Sequence, residues 1–135
     1  MLAGCGGATR PVSYTDLTPT VGKLEFTRIA VAVFHDRAKL LEVLERNNPG
    51  RRIELPAIDF SRNVVFLVAA GPRSSTGYEL RIVQVRDAGD HIVVVVHERT
   101  PSLGDPVEAR VTYPFRLIAL PRTDKTVKLK WPGRP

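Results

Sequence analysis

The chain has 135 residues, of which 43% are hydrophobic and 25% charged, a composition typical of one globular domain with its own core. Each apolar run is shorter than the roughly 18 residues of a membrane-spanning helix, and the apolar content argues against disorder. A single cysteine excludes an intrachain disulfide and a cysteine zinc cluster, while the formal charge of +6 permits an anionic partner without requiring one.

The N-terminus holds the single cysteine in a setting that resembles a bacterial lipobox. Small residues precede Cys5 in the run Leu2-Ala3-Gly4-Cys5, as signal peptidase requires, and the thiol is the group that would receive the lipid. The residues before Cys5 are too few for the basic and apolar regions of a signal peptide, so we expect further residues upstream. The alternative is a chance occurrence of this short motif in a cytosolic protein.

A lipidated Cys5 predicts a lipid-anchored protein of the bacterial cell envelope, held at the membrane by several acyl chains. Gly6 stands where an acidic residue would retain such a protein at an inner membrane, so we expect the outer membrane or the cell surface. Residues 1–22 are then the lipobox remnant and a flexible tether rich in Gly, Pro, Ser and Thr. Part of this segment could instead pack on the domain as an irregular strand.

A single globular domain is predicted over residues 23–131, with a tail at 132–135. Its first element is a strand at 26–34, where β-branched and aromatic residues form a run too short for a free helix. A helix follows over 37–47, because Asp36 can cap its start and leucines recur on one side of it.

Strands dominate the next part of the chain. Residues 63–70 form a continuous apolar run that predicts a strand buried on both faces. Residues 78–86 and 92–97 are also rich in β-branched residues, and the turn residues of 87–90 separate them. These two strands should form an antiparallel hairpin.

Three further strands complete the prediction. Two are expected at 107–111 and 115–120, on either side of Pro114, which cannot donate to a strand ladder. The last lies at 126–131, where alternation places Val127, Leu129 and Trp131 on one buried face. The fold class is therefore α+β, a mainly antiparallel sheet or sandwich of about six strands with one helix packed on it.

The sequence contains no recognisable catalytic or metal-binding motif. His35, His91 and His97 are too dispersed for a metal site, and no serine stands in a nucleophile elbow. We therefore expect no metal, no cofactor and no enzymatic activity. A small hydrolase remains the alternative, and it would need paired titratable groups in a concave site.

The loop at 71–78 is the best candidate for an exposed site, because it is glycine-flanked and rich in hydroxyl groups. Its spacing does not fit a phosphate-binding loop, so we expect it to contact a partner protein. The plainer interpretation is a strand connection in which the glycines supply unusual backbone angles. The candidate contact residues are Arg73, Ser74, Ser75, Thr76 and Tyr78.

Positive charge is concentrated at the C-terminal end, where residues 116–135 have a local formal charge of +5. A solvated strand face is one explanation. The other is contact with an anionic lipid headgroup, glycan or protein. Nucleic acid is not expected, because no aromatic residues are interleaved with the basic ones. The residues of this candidate basic patch are Arg122, Lys125, Lys128 and Lys130.

Three segments together resemble the PrcB-like C-terminal domain family, namely 71–78, 93–101 and 112–121. The resemblance covers about residues 60–131. The matching residues are Gly71, Thr76, Gly77, Tyr78, Pro101, Tyr113 and Pro114. The resemblance implies a bacterial lipoprotein associated with a protease complex, and it supplies no catalytic residue.

Taken together, these observations predict a non-enzymatic, membrane-tethered accessory or stabilising subunit that binds a partner protein such as a secreted protease complex. The alternative is a surface binder of an anionic envelope ligand that uses the basic C-terminal strand.

Overall fold

A computed structural model describes residues 9–133 of the chain. The described residues form eight strands and two helices. In chain order these are β1 (Arg10–Pro11), β2 (Thr15–Asp16), α1 (Thr18–Val21), β3 (Ile29–Phe34), α2 (Arg37–Asn47), β4 (Asn63–Ala70), β5 (Glu79–Asp87), β6 (His91–Arg99), β7 (Phe115–Pro121) and β8 (Thr126–Lys130).

The strands make two four-stranded sheets that pack face to face. Sheet A has the order β1-β5-β6-β8 and sheet B the order β2-β7-β4-β3. Apolar side chains from the facing sides of both sheets, among them Phe66, Val94 and Ile118, form one core between them. The predicted α+β sandwich is therefore present, with eight strands in place of about six and two short helices in place of one.

A second apolar core lies on the other side of sheet B. There Leu40 and Leu44 of α2 pack with Val65 and Leu67 of β4, and all four are fully buried. Sheet B is consequently the middle of three layers. This position explains why β4 is apolar throughout, since alternate residues face the sheet A core and the helix core.

Helix α2 has the bounds that the sequence predicted. The Asp36 carboxylate accepts a hydrogen bond of 2.8 Å from the Lys39 backbone N–H, which satisfies one of the free donors of the first turn. Arg46 and Glu42 form an i,i+4 ion pair at 2.6 Å on the solvent side. Within the described residues, no helix is long and apolar enough to cross a membrane.

The predicted hairpin is β5 paired antiparallel with β6, and a bulge falls between Ile82 and Gln84. Strand β8 also confirms the predicted alternation, because Val127 and Leu129 pack on the core between the sheets and Trp131 is buried. Its pairing with β6 is parallel. This arises because β7 belongs to the other sheet, so the chain crosses the sandwich before it returns.

One predicted strand was too long, and another is absent. Strand β3 begins at Ile29, and the residues before it form a bend, although Phe26 is buried against Phe115 with ring centroids 5.3 Å apart. Residues 107–111 are not a strand. Their apolar side chains suggested one, but they belong to a long connection that crosses the end of the sandwich and has no ladder partner beyond one isolated bridge.

The segment predicted as a tether packs on the domain over residues 10–21. Strand β1 pairs with β5, β2 pairs with β7, and α1 buries Val21. Leu17 is buried as well, in the core under α2. The few larger apolar residues of this segment therefore provide its attachment to the domain, as the irregular-strand alternative described.

Candidate functional site

An ion pair fastens the 71–78 loop to strand β6. Arg73 donates from Nε to Glu98 Oε2 at 2.6 Å and from Nη2 to Glu98 Oε1 at 3.0 Å. The two side chains are only 14% and 11% exposed. Arg73 Nη1 also donates to the carbonyl oxygens of Ala70 and Pro72. The hydrogen bonding to Glu98 raises the pKa of Arg73, and the guanidinium donates four hydrogen bonds within the domain.

The same loop is hydrogen-bonded to the connection between β6 and β7, residues 100–114. We call this connection the clamped segment, and we call the contacts that hold it and the loop together the clamp. Arg73 and Thr112 exchange two backbone hydrogen bonds of 2.8 and 2.9 Å. The Thr76 backbone N–H donates to the Glu108 carbonyl at 3.1 Å, and its hydroxyl accepts from the Glu108 N–H at 2.9 Å. The Thr112 hydroxyl donates to the Ser75 carbonyl at 2.8 Å.

Gly77 sits where the clamped segment comes closest. A Cβ atom at this position would lie 2.5 Å from Pro101 Cβ and 2.8 Å from Val107 Cγ1, well inside van der Waals contact. Glycine is therefore required here by the close approach of two segments. Gly71 is required for a different reason, because its φ of +80° is a backbone conformation that favours glycine.

The structure gives the predicted contact residues of this loop different roles. Arg73, Ser75 and Thr76 hold the clamped segment and are not free to contact a partner. Ser74 is exposed. Tyr78 is half-buried and lines a neighbouring groove. The strand-connection interpretation thus describes most of the loop, and Ser74 and Tyr78 are its accessible side chains.

The groove beside the loop has a volume of about 350 Å³. Its walls come from the start of β5, from the chain between α1 and β3, and from the end of the clamped segment. Tyr78 and Tyr113 line it together with Val111, whose side chain is largely exposed. We call this the tyrosine groove. The elements that build it are brought together only by the sandwich, so the groove combines residues from three distant parts of the chain.

The charges around the tyrosine groove are mixed. Glu25 pairs with Arg51 at 3.0 Å, and Glu79 pairs with Arg81 at 2.6 Å. The hydrogen bond from Arg81 lowers the pKa of Glu79, with Arg116 and Arg99 adding to the effect. Lys23 lines the groove and forms no ion pair within residues 9–133. The site therefore offers aromatic and aliphatic surface with one unpaired ammonium group.

The predicted basic patch is divided between two environments. Arg122 donates to the Phe60 carbonyl at 2.8 Å, and Lys125 forms an ion pair with Asp87 at 2.9 Å. The ion pair with Lys125 lowers the pKa of Asp87. Only Lys128 and Lys130 stand on the outer face of β8, where they are exposed.

That outer face is more basic than the sequence indicated, because β5 and β6 add cations to it. The register places Val93 beside Lys128 and Val95 beside Lys130, and residues opposite each other share a face. Following the same face across β5 and β6 adds three arginines and one acid. We call this the basic face; its charged residues are Glu79, Arg81, Arg86, Arg99, Lys128 and Lys130.

The remaining candidates form no site. His91 Nδ1 lies 2.6 Å from Asp90 Oδ1, while His35 and His97 are exposed. The described part of the chain brings no group of His, Cys, Asp and Glu side chains together that could hold a metal ion. Cys5, the predicted lipidation site, lies outside the described residues.

Sequence reasoning missed the partner of Arg73, the groove and the arginines of the basic face. Glu98 gave no local signal, because it is twenty-five residues from Arg73. Alternation alone would not have revealed the basic face, because it places Arg81 and Arg86 on opposite sides of β5. The bulge between Ile82 and Gln84 brings these two arginines to one side.

The fold and the site together define a small α+β sandwich domain with a clamped loop pair beside an open groove. Residues 64–121 match the family model described as PrcB C-terminal, which confirms the predicted resemblance. Neither the curated proteins nor the solved structures gave a match to the chain. The residues that carry the resemblance lie at the clamp and the groove: Gly71, Thr76, Gly77, Tyr78, Pro101, Tyr113 and Pro114.

Proposed function

We propose that this protein is a non-catalytic accessory subunit that binds and stabilises a component of a protease complex through the tyrosine groove. The PrcB C-terminal match suggests an association with protease-complex components. The observation that carries the choice of surface is the clamp. It fixes a long connection in one position and places Tyr78, Val111 and Tyr113 around one groove.

A fixed binding surface favours association because little conformational entropy is lost when the partner docks. The clamped segment also holds Leu103 fully exposed in a closed turn. In that turn the Asp105 N–H donates to the Ser102 carbonyl at 3.0 Å, and Asp105 Oδ2 accepts from the Ser102 N–H at 2.7 Å. Apolar side chains on ordered, exposed loops are typical of protein interaction surfaces.

The proposal includes a membrane anchor at Cys5. The support is the lipobox-like run that ends at this residue. Lipidation would hold the domain at the bacterial cell envelope, where a secreted or surface protease complex is found. Because residues 10–21 pack on the domain, the anchor would keep the domain close to the membrane.

The first experiment is mild amine-reactive cross-linking in native membranes, followed by mass spectrometry of the partner and of the cross-linked lysine. We expect a protease or one of its subunits linked through Lys23, which lines the groove. Links confined to Lys128 and Lys130 would instead move the contact to the basic face.

A matched pair of variants then tests the groove itself. Val111 and Val83 are both 56% exposed, but only Val111 lines the groove. Val111→Asp should weaken binding of the recovered partner about tenfold or more, as loss of an apolar contact at an interface does. Val83→Asp should bind like the wild type. Equal binding by both variants would remove the groove from the proposal.

A second candidate function is supported by the basic face. Arg99, Lys128 and Lys130 form no ion pairs within the described residues, so their charges are available to a ligand. The face carries five cations and one carboxylate, and this charge suits an anionic lipid headgroup or glycan. This candidate replaces the single basic strand of the sequence prediction with a surface that spans three strands.

A further inference from the structure

Strand β3 is the outermost strand of sheet B and has one free edge. It pairs with β4 on one side, and within the described residues nothing pairs with the other side. Its six residues, Ile29 to Phe34, include no charged residue and no proline.

The hydrogen-bond pattern identifies which backbone groups of β3 face outward. The Ala70 N–H donates to the Pro114 carbonyl at 2.9 Å, so the backbone N–H and C=O of Ala70 point toward β7. The backbone groups of successive residues in a central strand point alternately to the two neighbouring strands. Those of Val65, Leu67 and Ala69 therefore point toward β3. Their partners in the register are Phe34, Ala32 and Ala30. The N–H and C=O groups that remain unpaired therefore belong to Ile29, Val31 and Val33.

The side chains of the same residues are apolar and accessible. Ile29 is 47% exposed and Val31 is 43% exposed. Val33 is half-buried against the core between the sheets. Free backbone groups and exposed β-branched side chains thus coincide on one edge, which is the arrangement that pairs readily with another strand.

The other edges of the two sheets are protected in ways that β3 is not. Strands β1 and β2 are only two residues long. Strand β8 carries Lys128 and Lys130, and lysine on an edge opposes pairing with another strand. The exception at β3 indicates that this edge has a partner.

We propose that this partner is β3 of a second copy of the chain, paired antiparallel about a two-fold axis at Val31. In this register Val31 faces Val31 of the second copy, and Ile29 faces its Val33. All the outward N–H and C=O groups of the three residues are then paired. The exposed side chains become cross-strand pairs of β-branched residues, which stabilise sheets.

The charges at the two ends of β3 fit this antiparallel arrangement. Arg28 precedes the strand and Asp36 follows it, and both are exposed. In the proposed register Arg28 stands diagonally across from Asp36 of the second copy, a position that a long side chain reaches. An in-register parallel pairing would instead place Arg28 beside Arg28 of the second copy, so that like charges would meet.

The first test is analytical ultracentrifugation of the full chain over a range of concentrations. The wild type should dimerise as concentration rises. Val31→Pro should weaken the dimer at least tenfold, because proline removes an outward N–H that makes no bond within the domain and is tolerated at such edges. Val83→Lys, which changes an exposed valine in β5, should dimerise like the wild type. A wild type that stays monomeric overturns the proposal.

Cysteine cross-linking tests the register in a Cys5→Ser background. Val31→Cys should form a disulfide dimer on oxidation, because the paired Cα atoms would be about 5.5 Å apart. Ile29→Cys alone should not, whereas a mixture of Ile29→Cys and Val33→Cys should. Cross-linking of Ile29→Cys alone as readily as Val31→Cys would refute the two-fold axis at Val31.

Discussion

At the residue scale, the most consequential side chain is Arg73. It was singled out because it lies in a glycine-flanked loop that is rich in hydroxyl groups. In the structure its guanidinium is paired with Glu98 and with two backbone carbonyls. Arg73 therefore acts on any partner only through the segment that it positions.

We predict that Glu98→Gln destabilises the domain by about 3 kcal/mol, because it leaves the guanidinium of Arg73 nearly buried without a counter-charge. The double change Arg73→Met with Glu98→Leu should lose less, since an apolar pair leaves no uncompensated charge. Urea unfolding followed by circular dichroism measures both. A double variant less stable than Glu98→Gln would show that the backbone contacts of Arg73 matter more than its charge.

Asn48 has two structural roles. At the end of α2 its side-chain amide donates to the Leu44 carbonyl at 3.0 Å. It is also buried, and its side-chain oxygen accepts from the Glu25 N–H at 2.7 Å. This bond fixes the chain that forms one wall of the tyrosine groove.

At the scale of elements, the clamp joins two loops that the sequence treated separately. The 71–78 loop was predicted to contact a partner protein, and residues 107–111 were predicted to form a strand. Their apolar residues made a strand plausible, but Val107 packs against Gly77 and Val111 is exposed at the groove. Neither role has a local pattern, because each depends on the other loop.

We predict that Gly77→Ala separates the clamp and destabilises the domain by about 1–3 kcal/mol, as overpacking does at other close contacts. The added Cβ would meet Pro101 and Val107 at distances that no relaxed structure allows. Gly89→Ala is a useful comparison, because the space around Gly89 is open and only its positive φ opposes the change. Thermal unfolding should show the larger loss for Gly77→Ala, and hydrogen exchange should increase at Thr76 and Thr112. Unchanged exchange at those residues would contradict the clamp.

At the scale of the whole molecule, charge is divided between the layers. The basic face covers the outside of sheet A, while α2 and its neighbouring loops cover the outside of sheet B. The six charged residues of the basic face sum to 5 − 1 = +4, whereas those of α2 sum to 3 − 2 = +1, so charge is not evenly spread over the surface. Such an asymmetric distribution orients a protein on an anionic surface.

We predict that the basic face binds vesicles of phosphatidylglycerol more tightly than vesicles of phosphatidylcholine, and that salt weakens the binding. Replacing Lys128 and Lys130 by Ala should reduce the affinity about 30-fold at low salt, at about 1 kcal/mol for each cation. The control replaces Lys39 and Arg46 of α2 by Ala, which removes the same charge from the opposite layer. Co-sedimentation measures both, and the same variants tested on heparin distinguish a glycan from a lipid. Equal losses in the two double variants would assign the effect to net charge alone.

The elements that the sequence predicted well are those defined by local chemistry. Helix α2 has a capping aspartate and a leucine stripe, β4 is continuously apolar, and the β5-β6 hairpin has turn residues between two β-branched runs. Strand β3 was predicted three residues too long, because Phe26 is apolar for a different reason: it packs on Phe115 in the helix core.

The sequence by itself determined the α+β class, the buried strands and the helix, because hydrophobic periodicity, helix capping and turn residues are local properties of the chain. It also carried the PrcB C-terminal resemblance, which rests on short segments of residues. Only the tertiary structure decided that sheet B is the middle layer, that Arg73 reaches Glu98, and that Tyr78 and Tyr113 share a groove. It also decided which cations share a face and which strand edge stays open. These are contacts between residues far apart in the chain, and their geometry follows from how two sheets pack rather than from any single segment.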